Sequence, residues 1–503
     1  MRPVGPKSPD TRPIRFNLME RTKTTRQQEL SALITRGSIG RAVRLLAWPS
    51  LAMYLLLVPT WPLQMYFLSK FGKEYVAAGT VGMLVAWIAI SLGNLIGVGA
   101  PTLIAQAAGR GQWEDAREIV VAALQQAIVI GVVGAIGLFI FRDLLFQVLH
   151  LERAVVELAE FYVIVVALSL PAFTINHAIS AAFHGPGEMM VALRSGMVVA
   201  VISMVGSALL IPGVSMSFAG IDLTIIPDLR MKGAAIALGA GRLGGMLYVL
   251  FWLRSTPLCP SLAMLWNRFN GVWHKGIIRL GTPSSIETLQ QQVSNFVLLG
   301  ILSRTVNPTA ALAAYGVGDS IAVLFFVPAM GYALAVVPLV GQNVGARQLV
   351  RARRVGWLAA GHTALIMSVL GVFLFAFSAP IAEHWAPLEI DPVYHRYLLS
   401  YLRLGALVGP VVGVFVVLMG AFRGAGDSIT PAALAIGTSL LIRLLQWIAC
   451  IRLGFDAVAA WSIWAVVLVI MSLALIFLYH RGVWVRAARR PLNAYHSTKT
   501  LLD

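Results

Sequence analysis

The chain repeats itself. Gln106-Ala107-Ala108-Gly109, followed by Ala116-Arg117, returns as Gln342-Asn343-Val344-Gly345, followed by Ala352-Arg353, 236 residues later. Ala182-Phe183-His184-Gly185-Pro186-Gly187-Glu188 returns as Ala421-Phe422-Arg423-Gly424-Ala425-Gly426-Asp427 at an offset of 239, and Trp48-Pro49-Ser50 echoes Thr282-Pro283-Ser284 at 234. Three echoes at nearly constant spacing imply that a unit of about half the chain is duplicated, an arrangement found in secondary transporters.

Hydropathy says where such a duplicated body resides. Of the 503 residues 58% are hydrophobic and 12% charged, with mean hydropathy +0.79. Soluble domains carry about 25% charged residues. Apolar runs of about 20 residues, the length that crosses a bilayer core, recur along the chain. They are continuous rather than alternating at period two, which excludes a strand barrel. The first 40 residues are basic and polar, so no cleavable secretory signal is expected. Cys259 and Cys450 stand far apart without ligand spacing and argue against disulfide or metal chemistry. The formal charge of +17 reads as a cytoplasmic excess of Lys and Arg rather than a nucleic-acid surface.

Twelve spans are expected, at 43–68, 78–107, 117–141, 155–183, 190–211 and 233–254 in the first half, and at 276–303, 311–345, 354–378, 394–421, 430–451 and 457–480 in the second. Six spans per unit is an even number, so both copies enter the membrane the same way up. The fold class expected is an all-α membrane protein, with two six-helix lobes related by a pseudo-two-fold axis along the membrane normal. With both termini cytoplasmic, about two-thirds of the 39 Lys and Arg fall inside, among them Arg347, Arg351, Arg353 and Arg354. The implied organisation is a basic tail over 1–42, an N-lobe over 43–254, a linker over 255–275, a C-lobe over 276–481 and a basic tail over 482–503. The first tail reads as disordered and drawn to anionic lipid. The linker, with Trp266-Asn267-Arg268 and Trp273-His274-Lys275, reads as an interfacial amphipathic segment. The external loop 212–232 has no functional reading.

The echoed segments also carry a family resemblance. Pro49 in span one, Val340-Gly341-Gln342-Asn343-Val344-Gly345-Ala346, Phe422 to Asp427 followed by Thr430-Pro431, and Ile442-Arg443-Leu444 resemble the multidrug and toxic compound extrusion (MATE) family, in order, over about residues 45–480. The resemblance implies two six-helix lobes around a cleft that opens to either side in turn. It also implies antiport of amphiphilic, often cationic, organic compounds against sodium ions or protons, in a plasma membrane, by a monomer without a cofactor. The Gly-rich echoes sit at span ends, where turns and close packing explain them without substrate contact.

Polar groups at membrane depth are costly and so are the candidates for function. In span seven Glu287, Gln291 and Ser294/Asn295 form one helical stripe, with Gln290 beside it. Glu287 lies about 11 residues, roughly 16 Å, into the span. It is a candidate for binding a cation or proton, against pairing with an Arg. The family often places a glutamate at the position of Gln291 and an aspartate at that of Gln64, so this chain departs from the pattern at both. An amide coordinates or hydrogen-bonds but does not titrate. Pro59 and Pro62 should bend span one. Asp319 in span eight is the second deep carboxylate, weighed evenly between cation or substrate contact and an Arg partner. Sodium is a candidate ligand at Glu287 or Asp319. Arg443 is a cavity candidate, weighed against a structural ion pair with a carboxylate, which is the stronger expectation, while Arg194 and Arg242 are expected to snorkel to the interface. Asn176 is a further cavity candidate and His177 a group able to titrate near neutral pH, against hydrogen bonding between helices, which is the expected use of both. Trp61 and Tyr66, and further Trp87, Phe325 and Phe326, are candidates to stack on a cationic compound.

Two other classes compete with this reading. Gly316-Val317-Gly318-Asp319 and Gly424-Ala425-Gly426-Asp427 both read G-x-G-D, as in intramembrane aspartyl proteases, but Asp427 falls in a turn, so the paired carboxylates that chemistry needs are missing. No G-x-x-x-x-G-K-[ST] loop is present for ATP. A flippase or exporter of lipid-linked or other metabolites shares the two-lobe plan, but would carry more deep basic residues than Arg443.

Overall fold

A computed structural model describes residues 18–148, 151–218, 221–267 and 269–489. The first 17 residues, 490–503 of the second tail and Arg268 lie outside the described residues. The structure is helical because, in a bilayer, each span must satisfy its own backbone N–H and C=O groups.

After a leading helix α1 (Leu18–Arg36), the first lobe comprises α2 (Ile39–Leu57), α3 (Thr60–Ser69), α4 (Lys73–Gly109), α5 (Trp113–Val148), α6 (Arg153–His184), α7 (Met189–Leu210) and α8 (Arg230–Leu253). A short α9 (Leu262–Asn267) leads to the second lobe. This comprises α10 (Gly271–Leu302), α11 (Pro308–Gly345), α12 (Leu349–Trp385), α13 (Pro392–Gly424), α14 (Ile429–Trp447) and α15 (Ala457–Arg481), with a terminal turn α16 (Val485–Ala488). A π-helical turn, Ile448–Arg452, extends α14. Helices α2 and α3 are one span broken at Val58–Pro59, where prolines interrupt the hydrogen-bond ladder as expected.

Among the described residues eleven spans are long and apolar enough to cross a membrane on those grounds alone. The twelfth, α10, has the length, but Lys275, Arg279, Glu287 and its amides lower its hydropathy. Leu365, Val369, Val372 and Phe373 on α12 are exposed, as lipid-facing positions should be.

Each lobe is built around its fourth span. Helix α6 packs on α4, α5 and α8, and its counterpart α13 packs on α11, α12 and α15. Between the lobes α4 lies on α10 and on α11, while α11 also lies on α2. The junction is tightest at the end carrying the echoed Gly-rich segments. A Cβ on Gly109 would strike the carbonyl oxygen of Gln342, and one on Gly345 the carbonyl oxygen of Gln106. The side chains exchange bonds with the same symmetry. Gln106 Nε2 donates to Gly424 O at 3.2 Å and Gln342 Nε2 to Gly185 O at 2.9 Å. The sequence echo is thus the pair of faces on which the lobes meet.

Two elements depart from expectation. Residues 18–36 of the leading tail are helical and lie across that closed end. Arg351 donates to Ile34 O at 3.2 and 3.0 Å and also to Gly37 O, Asn343 Nδ2 donates to Ile34 O at 3.3 Å, and Ser31 Oγ donates to Ala108 O at 3.4 Å. Gln27, Ser31, Ile34 and Thr35 are buried at helical spacing, so this helix is ordered by packing rather than by its own propensity. The loop 212–232 contains an antiparallel hairpin, β1 (Val214–Phe218) and β2 (Ile221–Ile226), added to an otherwise helical body.

Candidate functional site

The junction between lobes carries a polar seam on one side. Ser91 Oγ donates to Ser285 O at 2.9 Å and Ser285 Oγ to Ser91 O at 2.8 Å, while Asn94 Nδ2 donates to Thr288 Oγ1 at 2.8 Å. Glu287 sits within this seam and pairs with Arg423 of α13, Nη2 to Oε2 at 2.7 Å, both side chains about one-fifth exposed. The carbonyl of Arg423 accepts Thr102 Oγ1 of the first lobe at 3.2 Å. The arginine thus holds Glu287 with its side chain and the opposite lobe with its backbone.

Inside the second lobe, Asp319 on α11 neighbours Tyr401 of α13, whose ring packs against the adjacent Gly318 and whose side chain interacts electrostatically with the carboxylate. Tyr315, Tyr401, Trp461 and Trp464 make one aromatic cluster, with ring centroids 5.1 to 6.3 Å apart. Among the described residues Asp319 has no ion-pair partner. Arg443 does not reach it in an ion pair. Its Nε donates to Ser294 O at 2.9 Å and Ser294 Oγ at 2.8 Å, and its Nη1 to Gln446 Oε1 at 2.6 Å. The expected carboxylate partner for Arg443 is therefore replaced by hydroxyl, carbonyl and amide oxygens that tie α10 to α14. Gln290 joins the same tie through Ser439, 3.1 Å away.

The first lobe has a different interior. Gln64 is buried and bonded at both ends of its amide, its Nε2 donating to Ala234 O at 2.9 Å and its Oε1 accepting Tyr162 OH at 3.3 Å. Arg242 does not snorkel. It lies at the middle of α8, 5% exposed, with Nη1 donating to Ser169 Oγ at 3.0 Å and its guanidinium 4.8 Å from the Phe173 ring centroid. Both ends of its helix are too distant for the charge to reach water, and among the described residues no carboxylate pairs with it. His177 turns back to its own helix, Nδ1 to Phe173 O at 3.0 Å, rather than bonding another helix. Asn176 Oδ1 accepts Ser180 Oγ at 3.0 Å.

The remaining candidates are dispersed. Gln291 is exposed and bonds Asn295 at 3.1 Å. Trp61 packs against the first lobe's core near Tyr162, whereas Tyr66 is exposed with Lys70 Nζ 4.6 Å from its ring. Sequence reasoning passed over Arg423, Tyr401 and Tyr162. The two tyrosines were findable, because Tyr162 and Tyr401 stand at the same offset of 239 as the echoed Gly-rich segment. Among the described residues no group of three or more His, Cys, Asp or Glu is placed to hold a metal ion.

The sequence pattern of the MatE family matches residues 49–209 and again 283–448, once in each lobe. The chain belongs to the MatE family. Two relatives of this MatE protein mark the family's breadth. The FAD transporter of Shewanella oneidensis is 24% identical over 394 residues, 76% of this chain and 83% of that one. The probable multidrug resistance protein NorM of Thermotoga maritima is 24% identical over 380 residues, covering 73% and 75%. The crystal structure of a MATE in complex with MaL6 superposes with a TM-score of 0.81 at 20% identity, over 91% of this chain and 99% of the other. It confirms the twelve-helix, two-lobe fold of a multi-pass membrane protein.

Proposed function

We propose that this MatE protein is a secondary active exporter of amphiphilic organic compounds, driven by a cation that binds at Asp319 and working by alternating access of its lobes. The carrying observation is the placement of Asp319: a carboxylate within span eight, without a basic partner among the described residues, beside a tyrosine and an aromatic cluster. Glu287 is held by Arg423 and Gln64 by two hydrogen bonds, which leaves Asp319 as the deep acid free to exchange its charge. A proton fits this environment better than sodium. A proton needs a single acceptor, whereas a hard cation is held by a shell of oxygen ligands. The tyrosine and tryptophan faces beside it suit a cationic, flat substrate. The closed end, rich in Arg347, Arg351, Arg353 and Arg354, is assigned to the cytoplasm by the positive-inside rule, so the arrangement is closed inward. Purified protein in liposomes loaded with a fluorescent cationic dye, under separate proton and sodium gradients, tests the reading. Dye movement with the proton gradient is expected, and no movement under either gradient overturns it.

A second reading is favoured by Arg242. A buried guanidinium with, among the described residues, one hydrogen bond and no carboxylate calls for an anionic partner, and the Shewanella oneidensis relative is named as an FAD transporter. On this reading the substrate carries a phosphate or carboxylate that enters the first lobe. Export of a flavin nucleotide but not of the dye, lost in Arg242→Gln, selects it.

A further inference from the structure

At the closed end the two lobes offer the same cleft with different contents. In the first lobe it lies between the start of α2 and the α6–α7 turn, and the chain fills it. Ile34 of α1 is fully buried there with Leu46 and Met189, and a Cβ on Gly187 would lie 2.9 Å from Ile34 Cδ1 and 3.4 Å from Leu46 Cδ2. The repeat maps Leu46 onto Leu280, Gly187 onto Gly426, Glu188 onto Asp427 and Met189 onto Ser428. Among the described residues no helix takes the part of α1 in the second lobe. A cleft of about 250 Å³ stands between the start of α10, the α13–α14 turn and α16.

Its lining is built for an anion. Arg279 and Arg486 border it from opposite elements, both exposed and neither in an ion pair among the described residues. Ser428 is 2% exposed, and its Oγ is buried without a hydrogen-bond partner. A hydroxyl in that state has given up its hydration without a replacement, and a ligand oxygen would supply one. The first turn of α14, a 19-residue helix, adds the positive end of its dipole. Asp427 also lines the cleft, but its carboxylate is already used, Oδ1 accepting Thr430 N–H at 3.0 Å and Oδ2 accepting Thr430 Oγ1 at 2.7 Å. Two guanidiniums therefore outweigh one engaged carboxylate. The remaining wall, with Leu280, Ile429 and Val483, is apolar.

We propose that this cleft binds a phosphate-type anion, with its oxygens between Arg279 and Arg486 and accepting from Ser428 Oγ. A phospholipid headgroup and a free phosphate ion share that chemistry. The apolar wall would add contacts for the upper acyl chain of the lipid. The site shares no residue with the proposed transport machinery and stands whether or not the transport reading does.

The test uses detergent-purified full-length protein. Native mass spectrometry titrates phosphatidylglycerol and phosphatidylcholine, and thermal unfolding titrates inorganic phosphate, for wild type, Arg279→Ala/Arg486→Ala and Ser428→Ala. Phosphatidylglycerol is expected to bind wild type in preference to phosphatidylcholine, and about tenfold more weakly in the double variant. Ser428→Ala is expected to weaken binding without lowering the melting temperature, and it decides the matter if the double variant fails to fold. Stabilisation by phosphate alone, lost in the variants, keeps the anion site and identifies a free ion as its occupant. Equal binding of both lipids with no effect of phosphate, or binding unchanged in Ser428→Ala and the double variant, overturns the proposal.

Discussion

Tyr162 in the first lobe and Tyr401 in the second occupy the same place in the repeat, and each is packed against an equivalent glycine. A Cβ on Gly82 would run into the Tyr162 ring, and one on Gly318 into the Tyr401 ring. The hydroxyls part ways. Tyr162 donates to the neutral amide of Gln64, whereas Tyr401 stands in the electrostatic neighbourhood of the Asp319 carboxylate. The duplicated backbone has therefore kept its packing device and changed the chemistry at its tip. The same divergence separates Arg242, a buried cation in one lobe, from Asp319, a deep anion in the other. Divergence of this kind costs the scaffold little, because close packing is decided by small residues at helix contacts and polarity by what faces the interior.

The largest expected effect sharpens that contrast. Asp319→Asn should reduce gradient-driven dye export to the level of empty liposomes while the protein still elutes as a single folded species. Gln64→Leu should leave gradient dependence in place. Retention of coupling in Asp319→Asn would move the coupling site elsewhere. Next come the lobe-joining glycines. Gly109→Ala and Gly345→Ala each drive a methyl group into a backbone carbonyl, and each should cost about 3 kcal/mol, toward the top of the range for overpacking. Thermal unfolding in detergent measures it. Unequal losses would break the symmetry of the closed end.

Gln64→Leu itself leaves the Ala234 carbonyl and the Tyr162 hydroxyl without their partner, and should lower stability by about 2 kcal/mol. A neutral result would mean that water or a neighbour replaces the amide. The smallest effect concerns Glu188, in the turn before α7. Burial raises its pKa above the ordinary 4.5, while the hydrogen bond from Gln27 and the charge of Arg26 oppose the shift. A carboxyl with a raised folded pKa contributes its stability below the ordinary value and loses it as pH rises through the raised one. Unfolding followed from pH 4 upward should show such a loss in wild type. Glu188→Gln should flatten it, and an unchanged slope would assign it to another group.

The departures from expectation share a cause. Glu287 was readable as a deep carboxylate, but its partner Arg423 lies 136 residues away and was read only as part of a Gly-rich turn. The leading segment reads as a basic tail because its buried face, among the described side chains, is made of Gln27, Ser31 and Thr35 with Ile34. Such a face has meaning only against the carbonyls and amides of both lobes. Arg242 was assigned to the interface from its place in a span, although the middle of a helix surrounded by other helices offers no route to water.

The sequence by itself determined the duplication, the count of spans, their common orientation and the fact that a handful of polar residues must lie at membrane depth. Those properties are local or additive: hydropathy sums along a window, and an echo survives wherever backbone contacts admit nothing larger than glycine. Only the tertiary structure decided which deep group is paired and which is free, because a charge inside a bilayer is defined by what stands across from it, and that neighbour comes from another helix.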